Sequence, residues 1–473
     1  MMQCDIRNAA PTYLSQSRGV CRVCGKMVPV RYVADQDRVY LERLCPEHYG
    51  SRALVAESLA WYLDAMQRPS SGCPPPKTMP KQKACPDGCG PCSFHAQACR
   101  LPVFSITNAC NLRCPICFTY NRSDKIYFMS PEEFGRQIEF VVETTGGVDL
   151  VNITGGEPTL HPQLFDLLAR ARHPRIGRIT LNSNGLSLAA NPEIAARLAE
   201  MGVYVVLSLD TLDRDISQRL HSRDITAQKM AALENLGRFG VQTTLLMVLV
   251  GGVNEHEIES LWSLLLTHEH VRSLTIQTMT YTGQGGAFFE PREHIPVDGV
   301  VRRIAAASRG RLSADDFMPL PGVHPLCYAV SYLLGDKDAL HSFRALLDRD
   351  TMARNLVGGY LMQPSAELET ALKEAIDRLW SQGGQAQLLS VVKRMLRHVY
   401  PTDEHLTLHA RQQRAESMVK TIYIHAHMDE DTYEIGRAMR CSDQVPVDAQ
   451  RLVGACNYNL FYRQKDDRFW QKT

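Results

Sequence analysis

The residues best equipped for chemistry in this 473-residue chain are its cysteines, fifteen in all, with twelve of them between Cys4 and Cys117. The sharpest group is Cys110-Asn-Leu-Arg-Cys114-Pro-Ile-Cys117-Phe118. Three thiolates packed this closely can bind three irons of a cubane cluster and leave the fourth iron without a protein ligand. An open iron suits a cluster that binds a substrate, because clusters that only carry electrons usually have four cysteines. A zinc knuckle or three buried thiols are the competing readings of the same residues.

Other cysteines offer further metal sites. Cys85, Cys89, Cys92 and Cys99 supply four thiolates within fifteen residues, enough for a fully ligated [4Fe–4S] cluster or for a zinc ion. Cys21, Cys24, Cys45 and Cys73 form a second set suited to one iron or one zinc, and His48, three residues after Cys45, can replace Cys73. Cys327, Cys441 and Cys456 are scattered, and by spacing alone each reads as a small buried hydrophobe. An odd cysteine count in a long chain argues against a secreted disulfide framework.

The elements that must position these groups change along the chain. Residues 1–100 form a cysteine-rich region whose Gly and Pro content predicts knuckle-like turns, a hairpin over Arg31–Leu44, a helix near Ala53–Met66 and a basic linker at 77–83. Residues 101–300 alternate apolar or β-branched runs (Val103–Thr107, Leu150–Thr154, Arg178–Asn182, Val203–Leu209, Thr243–Val250, Ser273–Thr278) with amphipathic segments. One of these opens on a capping box with Pro131 in its first turn, Ser130-Pro-Glu-Glu133. Such alternation predicts an α/β fold with a parallel sheet, doubly wound or a barrel. Residues 301–473 read as mostly helical, with helices over Ala366–Trp380 and Gln387–Val399 and a strand-like run at Thr421–His427.

Composition narrows the function. Hydrophobic residues are 44%, charged residues 22%, aromatics 7%, and the net charge is +1, so no overall positive field recruits nucleic acid. The start lacks the basic and apolar regions of a secretory signal, and no apolar run approaches a membrane span, so a cytoplasmic location is expected. No G-x4-G-K-[ST] phosphate loop or nucleophile-elbow sequence appears.

Cys110, Cys114, Cys117 and the aromatic Phe118 resemble the signature of the radical S-adenosylmethionine (SAM) enzymes. The resemblance extends over about Leu101–Gly286, with accessory segments in order at successive strand ends, where α/β barrels place their sites. Thr154-Gly155-Gly156-Glu157-Pro158 looks like the segment that contacts the methionine amine of SAM: glycines let backbone approach a ligand, and Glu157 offers an acceptor. Asn182-Ser183-Asn184-Gly185 and Ser208-Leu-Asp210 look like ribose- and carboxylate-contacting positions, and Gly251-Gly252-Val253-Asn254 like the adenine-contacting segment. The resemblance implies a partial (β/α)6 barrel, a SAM-binding [4Fe–4S] cluster and reductive cleavage of SAM to a 5′-deoxyadenosyl radical.

The whole chain resembles a subgroup that includes the archaeal tetraether lipid synthase and radical SAM pterin methylases. In that subgroup the C-terminal region helps hold a further cluster, and the matching stretches are His324-Pro-Leu-Cys327, Arg440-Cys441 and Cys456-Asn457-Tyr458. Relatives commonly carry additional cysteines where this chain has Gly322-Val323 and Ser442. A cluster there has only three cysteines and a vacant or non-cysteine position, or is absent.

The resemblance thus implies a radical SAM enzyme, of transferase or oxidoreductase type, with one or two auxiliary [4Fe–4S] clusters and a mononuclear iron or zinc. A low-potential donor such as ferredoxin or flavodoxin would supply its electrons. It implies carbon–carbon bond formation or alkylation at an unactivated carbon, a lipid chain being preferred to a pterin or other small molecule or peptide. A non-catalytic iron–sulfur electron carrier is the alternative from another class, but it has no use for the Gly-Gly-Glu and Asn-Gly segments.

Overall fold

The computed structural model describes residues 11–67, 72–78, 85–119, 125–290, 292–335, 340–356 and 358–470; Cys4 and most of the linker, 79–83, lie outside them. Four antiparallel strands pair in chain order at the start: β1 (Thr12–Val20), β2 (Met27–Asp35), β3 (Arg38–Cys45) and β4 (Tyr49–Ala56). Alternate residues Val30, Tyr32, Val39, Leu41 and Val55 face inward and pack on Tyr62 of α1 (Leu59–Gln67). The hairpin expected over Arg31–Leu44 is β2–β3. The expectation of knuckle-like turns with a helix near Ala53–Met66 is corrected, because Ala53 and Val55 alternate inward as a strand and the helix starts at Leu59.

A second sheet holds the barrel. Strands β5 (Leu101–Ser105), β6 (Val151–Thr154), β7 (Ile179–Ser183), β8 (Tyr204–Ser208), β9 (Thr243–Leu249) and β10 (Val271–Thr278) pair in parallel and in sequence. Crossover helices cover their outer face: α2 (Pro131–Thr145), α3 (Leu164–Arg170), α4 (Leu186–Ala190), α5 (Pro192–Glu200), α6 (Arg214–His221), α7 (Thr226–Arg238) and α8 (Glu257–Thr267), with α9 (Gly283–Phe288) and α10 (Val297–Ala307) after β10. Alternate strand residues Ile153, Leu181, Val205, Leu207, Leu245, Met247, Leu274 and Ile276 pack outward in the main core. At α2, Ser130 accepts from the Glu133 amide, but the Glu133 carboxylate accepts from Tyr127 at 2.6 Å, so the reciprocal half of the expected capping box is absent.

The C-terminal part contributes more sheet than its helical reading implied. Helices α11 (Arg349–Arg354), α12 (Ala366–Gln382), α13 (Ala386–Val399) and α14 (Leu408–Ser417) share a second core with β12 (Tyr328–Gly335), which β11 (Met318–Pro319) and β13 (Leu340–Ser342) flank. Strand β14 (Val419–His425) joins β10 in parallel and β12 antiparallel. After the short α15 (Ile435–Ala438), β15 (Asp443–Asp448) joins β5 in parallel at the opposite end of the sheet and pairs with β16 (Arg451–Gly454). Side chains bridge the two ends: the Tyr328 and Tyr360 hydroxyls both donate to the Asp443 carboxylate.

The N-terminal sheet docks on this body through buried charge. Arg43, 2% exposed, donates to Asp431 at 2.9 Å, and the Asp298 carboxylate accepts the Glu57 and Ser58 amides, both at 2.8 Å. No helix among the described residues is long and apolar enough to cross a membrane.

Candidate active site and metal centres

The loop Cys110–Phe118 emerges from the C-terminal end of β5. Thr107 and Asn108 pin it: the Thr107 hydroxyl donates to the Tyr127 carbonyl at 2.7 Å and accepts from the Ala109 amide at 3.0 Å. The Asn108 side chain bonds Lys125 and Tyr127 at 2.7 and 2.9 Å. Burial pushes the Cys110 thiol up to about 11 and Cys114 higher still, each raised further by a charge at Cys117. Such grouped thiols ionise together only beside compensating positive charge, which irons supply.

Gly155 and Gly156 are required for a reason other than ligand approach. A Cβ on Gly155 would lie 2.2 Å from the Thr107 carbonyl oxygen, and one on Gly156 2.3 Å from that of Ala109. The glycines let the β6 end pack against the cysteine loop, where the Gly156 and Glu157 amides bond the Thr107 and Ala109 carbonyls. Buried Glu157 accepts from Thr159, from the Ser183 hydroxyl at 2.9 Å and from the Asn184 amide at 2.7 Å, tying the β6 and β7 ends together. Asp210 accepts from His221 at 2.9 Å and from the Val248 amide at 2.7 Å. Burial alone would raise its carboxyl, but the His221 bond and the charges of His221 and Lys229 hold it below its ordinary range.

The three loop cysteines, Gly155, Gly156, Glu157, Ser183, Asn184, Asp210 and His221 border one cavity of about 380 Å³, together with Phe118 and Ser208. Val253 packs instead with Val250, Met279 and Tyr281 and is not among the cavity's lining residues. Below the cysteine loop, inward-facing Asn152, Thr180, Asn182, Thr244, Thr275 and Gln277 line the lumen together with Leu150, Val206, Leu246 and Val248. His425 and His427 also line it, and burial pushes both imidazoles toward the neutral form, His425 to about 3.

Lys229 escaped the sequence reading. It is 2% exposed, its Nζ donates to the Ser208 carbonyl at 2.5 Å, and burial lowers its ammonium while the charges of Asp210, Cys114, Glu157 and Cys110 oppose that. The signal was a lysine on the apolar face of α7, in step with Ala232, Leu233 and Leu236.

The cysteines outside the loop fall into separate sets. The donor atoms of Cys21, Cys24, Cys45 and His48 all lie within 4.8 Å of one another, with Cys45 Sγ to His48 Nδ1 at 3.5 Å, Cys21 Sγ to His48 Nδ1 at 3.8 Å and Cys24 Sγ to Cys45 Sγ at 4.0 Å. These are edges of a tetrahedron about one ion, and Cys3His suits zinc. Cys73 is not in the set; its backbone bonds Gln97 and Ala98.

Cys85 and Cys92 are the thiols that act on Cys89, whose burial raises it to about 11, and Asn457 Nδ2 donates to Cys89 Sγ at 3.0 Å. Cys99 sits in the barrel core, where the neighbouring charge is Asp443 and its sulfur faces the Gln444 and Leu101 amides. Cys327, Cys441 and Cys456, distant in sequence, act on one another. Arg437 Nε donates to Cys327 at 3.4 Å, the Met428 amide to Cys456 at 3.3 Å, and His427 Nδ1 lies 3.6 Å from Cys456 Sγ.

A parallel barrel with a three-cysteine loop at the end of its first strand and polar groups at the strand ends that follow defines a radical SAM enzyme, a class whose cofactors are a [4Fe–4S] cluster and SAM. Residues 104–265 match the Radical SAM superfamily, and residues 13–57 the HMPTM N-terminal zinc ribbon domain. Over its length the chain is similar to the 7,8-dihydro-6-hydroxymethylpterin dimethyltransferase of Methanocaldococcus jannaschii, 23% identical across 94% of this chain and 93% of that protein. It is 32% identical to the probable GTP 3',8-cyclase of Pyrococcus abyssi across 34% of this chain and 50% of the cyclase, so it spans only half of that relative. Among solved structures, peptide-bound SuiB of Streptococcus suis is similar over 45% of this chain and 46% of its own, with 20% identity and a TM-score of 0.38. AdoMet-bound anSMEcpe is similar over 46% and 63%, with 18% identity and a TM-score of 0.35.

Proposed function

We propose that this enzyme alkylates or methylates an unactivated carbon of a small polar heterocycle, with a reduced pterin as the favoured class. The carrying observation is the lumen: barrel interiors are usually filled by Val, Ile and Leu, whereas this one sets Asn152, Thr180, Asn182 and Gln277 among its apolar side chains at a cavity, and the buried Asn182 Oδ1 finds no hydrogen-bond partner among the described residues. A lipid chain, the preference drawn from sequence, would leave polar groups such as the Asn182 oxygen without partners, at about 1–3 kcal/mol each. Ring nitrogens and amide-like edges would satisfy them. The pterin dimethyltransferase supports the same choice by similarity along nearly the whole chain.

Cys110, Cys114 and Cys117 would hold the SAM-binding cluster, which with SAM supplies a 5′-deoxyadenosyl radical for hydrogen abstraction. Glu157 fixes the β6 and β7 ends, so that Ser183 and Asn184 are held at the cavity. Lys229, a buried cation at the cavity, would meet the carboxylate of SAM. Cys21, Cys24, Cys45 and His48 would hold one zinc, and the Cys85 and Cys327 sets auxiliary iron–sulfur centres fed by a ferredoxin- or flavodoxin-type donor.

The test is anaerobic reconstitution followed by SAM, dithionite and either a reduced hydroxymethylpterin or an isoprenoid lipid. The expected result is 5′-deoxyadenosine in wild type, none in the Cys110/Cys114/Cys117→Ala variant, and a mass increase on the pterin. Alkylated lipid with an unchanged pterin would overturn the substrate class. A protein that holds iron but neither binds nor cleaves SAM would be an electron carrier.

A further inference from the structure

We infer that Asn182 selects the substrate by pairing its carboxamide with a lactam edge of the heterocycle, an N–H beside a carbonyl, an inference that rests on the substrate reading above. Several polar side chains of the lumen already serve one another. The Thr180 hydroxyl donates to the Val151 carbonyl at 2.9 Å and lies 3.0 Å from Asn152 Oδ1, and Thr244 and Ser273 share a hydrogen bond of 2.6 Å. These groups tie neighbouring strands together.

Asn182 and Gln277 stand outside those pairs. They lie on β7 and β10, three strands apart in the sheet, and border the same cavity. Asn182 has Val206 beside it on β8, whose side chain offers no donor or acceptor, and its buried Oδ1 finds no hydrogen-bond partner among the described residues. Gln277, 6% exposed, lies between Val248 on β9 and His425 on β14. His425 is engaged elsewhere, with Nδ1 at 3.0 Å from the Tyr328 hydroxyl and Nε2 at 3.6 Å from Asp443. Buried polar atoms are almost always hydrogen-bonded in folded proteins, so one left over at a cavity wall points to a bound group.

A carboxamide carries an acceptor and a donor side by side. A lactam edge presents the complementary order, and the two meet through a pair of parallel hydrogen bonds, as Asn and Gln do with the edge of adenine. The Cβ–Cγ bond of asparagine is a broad, two-fold torsion, so half a turn brings either the oxygen or the nitrogen of Asn182 to the lumen. Asn182 takes the lactam because its oxygen is the unmet atom, and Gln277 takes the ring's other polar edge. Ser183, the next residue, bonds Glu157 at 2.9 Å instead, so the SAM side and the substrate side of this segment fall to neighbouring residues.

The experiment uses the full-length, anaerobically reconstituted protein with SAM bound. Its probes are a reduced hydroxymethylpterin and the same pterin methylated on the lactam nitrogen, with affinity read by equilibrium dialysis and alkylation by mass. Wild type should bind the parent about a hundredfold more tightly than the methylated form, which lacks the N–H. Asn182→Ala, which also leaves room for the methyl group, should bind the two within about threefold of each other. Gln277→Leu should weaken both about tenfold and keep the preference. Iron per chain, which neither substitution touches, separates lost binding from misfolding. A preference retained in Asn182→Ala, or lost in Gln277→Leu instead, would overturn the assignment. Wild type that alkylates both pterins equally well sinks the Asn182 role alone, whereas wild type that binds and alkylates neither sinks the substrate reading with it.

Discussion

The rings of Phe118 and His427 stack with centroids 5.1 Å apart and planes 19° apart. Phe118 directly follows Cys117, and His427 turns its Nδ1 to Cys456. One aromatic pair therefore joins the cysteine loop to the C-terminal set of thiols. A stacked pair contributes about 0.5–1.5 kcal/mol beyond the area it buries. Phe118→Ala removes no thiolate, so iron per chain should stay at the wild-type value. With the loop less well held, 5′-deoxyadenosine formation should fall about tenfold, which corresponds to about 1.4 kcal/mol. Iron lost in proportion to activity would show instead that Phe118 is needed to assemble the cluster.

Lys229 is predicted to hold SAM. It is the buried cation among Asp210, Glu157 and the loop thiols at the cavity. Removing one partner of a buried charge pair costs about 2–5 kcal/mol. Lys229→Met should therefore weaken SAM binding about a hundredfold in equilibrium dialysis, with iron content unchanged, and Lys229→Arg should recover part of it. Wild-type affinity in Lys229→Met would remove the residue from the SAM site.

The N-terminal metal should depend on His48 and be indifferent to Cys73. His48→Ala removes one corner of the donor set, so its ion should pass to a chelator that leaves the wild-type ion in place, and β1–β4 should then become open to protease. Cys73→Ala should retain the ion. A reversed pattern of metal content would return Cys73 to the set.

These cases show what the sequence could and could not reveal. Strand positions from β5 to β10 were legible because every strand needs an apolar outer face, so β-branched runs recur regardless of what the lumen binds. The cysteine loop was legible because all its ligands lie within one turn-rich segment. Residue counting failed where chain direction matters: Cys99 follows Cys92 closely, yet the entry into β5 takes it into the core. His48 and Cys73 were equivalent by type, and only the pairing of β3 with β4 decides that His48 comes back over Cys21. Strand β15 left little trace, since it holds β5 through two residue pairs, Asp443 with Leu101 and Gln444 with Pro102. Its role is carried by the Asp443 carboxylate, which the Tyr328 and Tyr360 hydroxyls reach across the open side.

The junction between the N-terminal sheet and the barrel should weaken as pH rises toward neutrality. Asp298 accepts the Glu57 and Ser58 amides through Oδ2, while its buried Oδ1 finds no hydrogen-bond partner among the described residues. Burial, with a smaller push from Asp37, outweighs the amide bonds and lifts the carboxyl to about 7. Glu57 beside it is paired with Arg302 and Arg303. An unfolded aspartate titrates near about 4, so between about 4 and 7 the folded state holds the extra proton. Stability is then greatest below about pH 4, falls as pH rises through that window, and levels off above about 7, by on the order of 4 kcal/mol at most. Asp298→Asn keeps the amide bonds without the charge, so it should flatten this part of the melting-temperature profile and melt higher than wild type at pH 8. Parallel profiles for the two proteins across the window would assign the pH dependence to other groups.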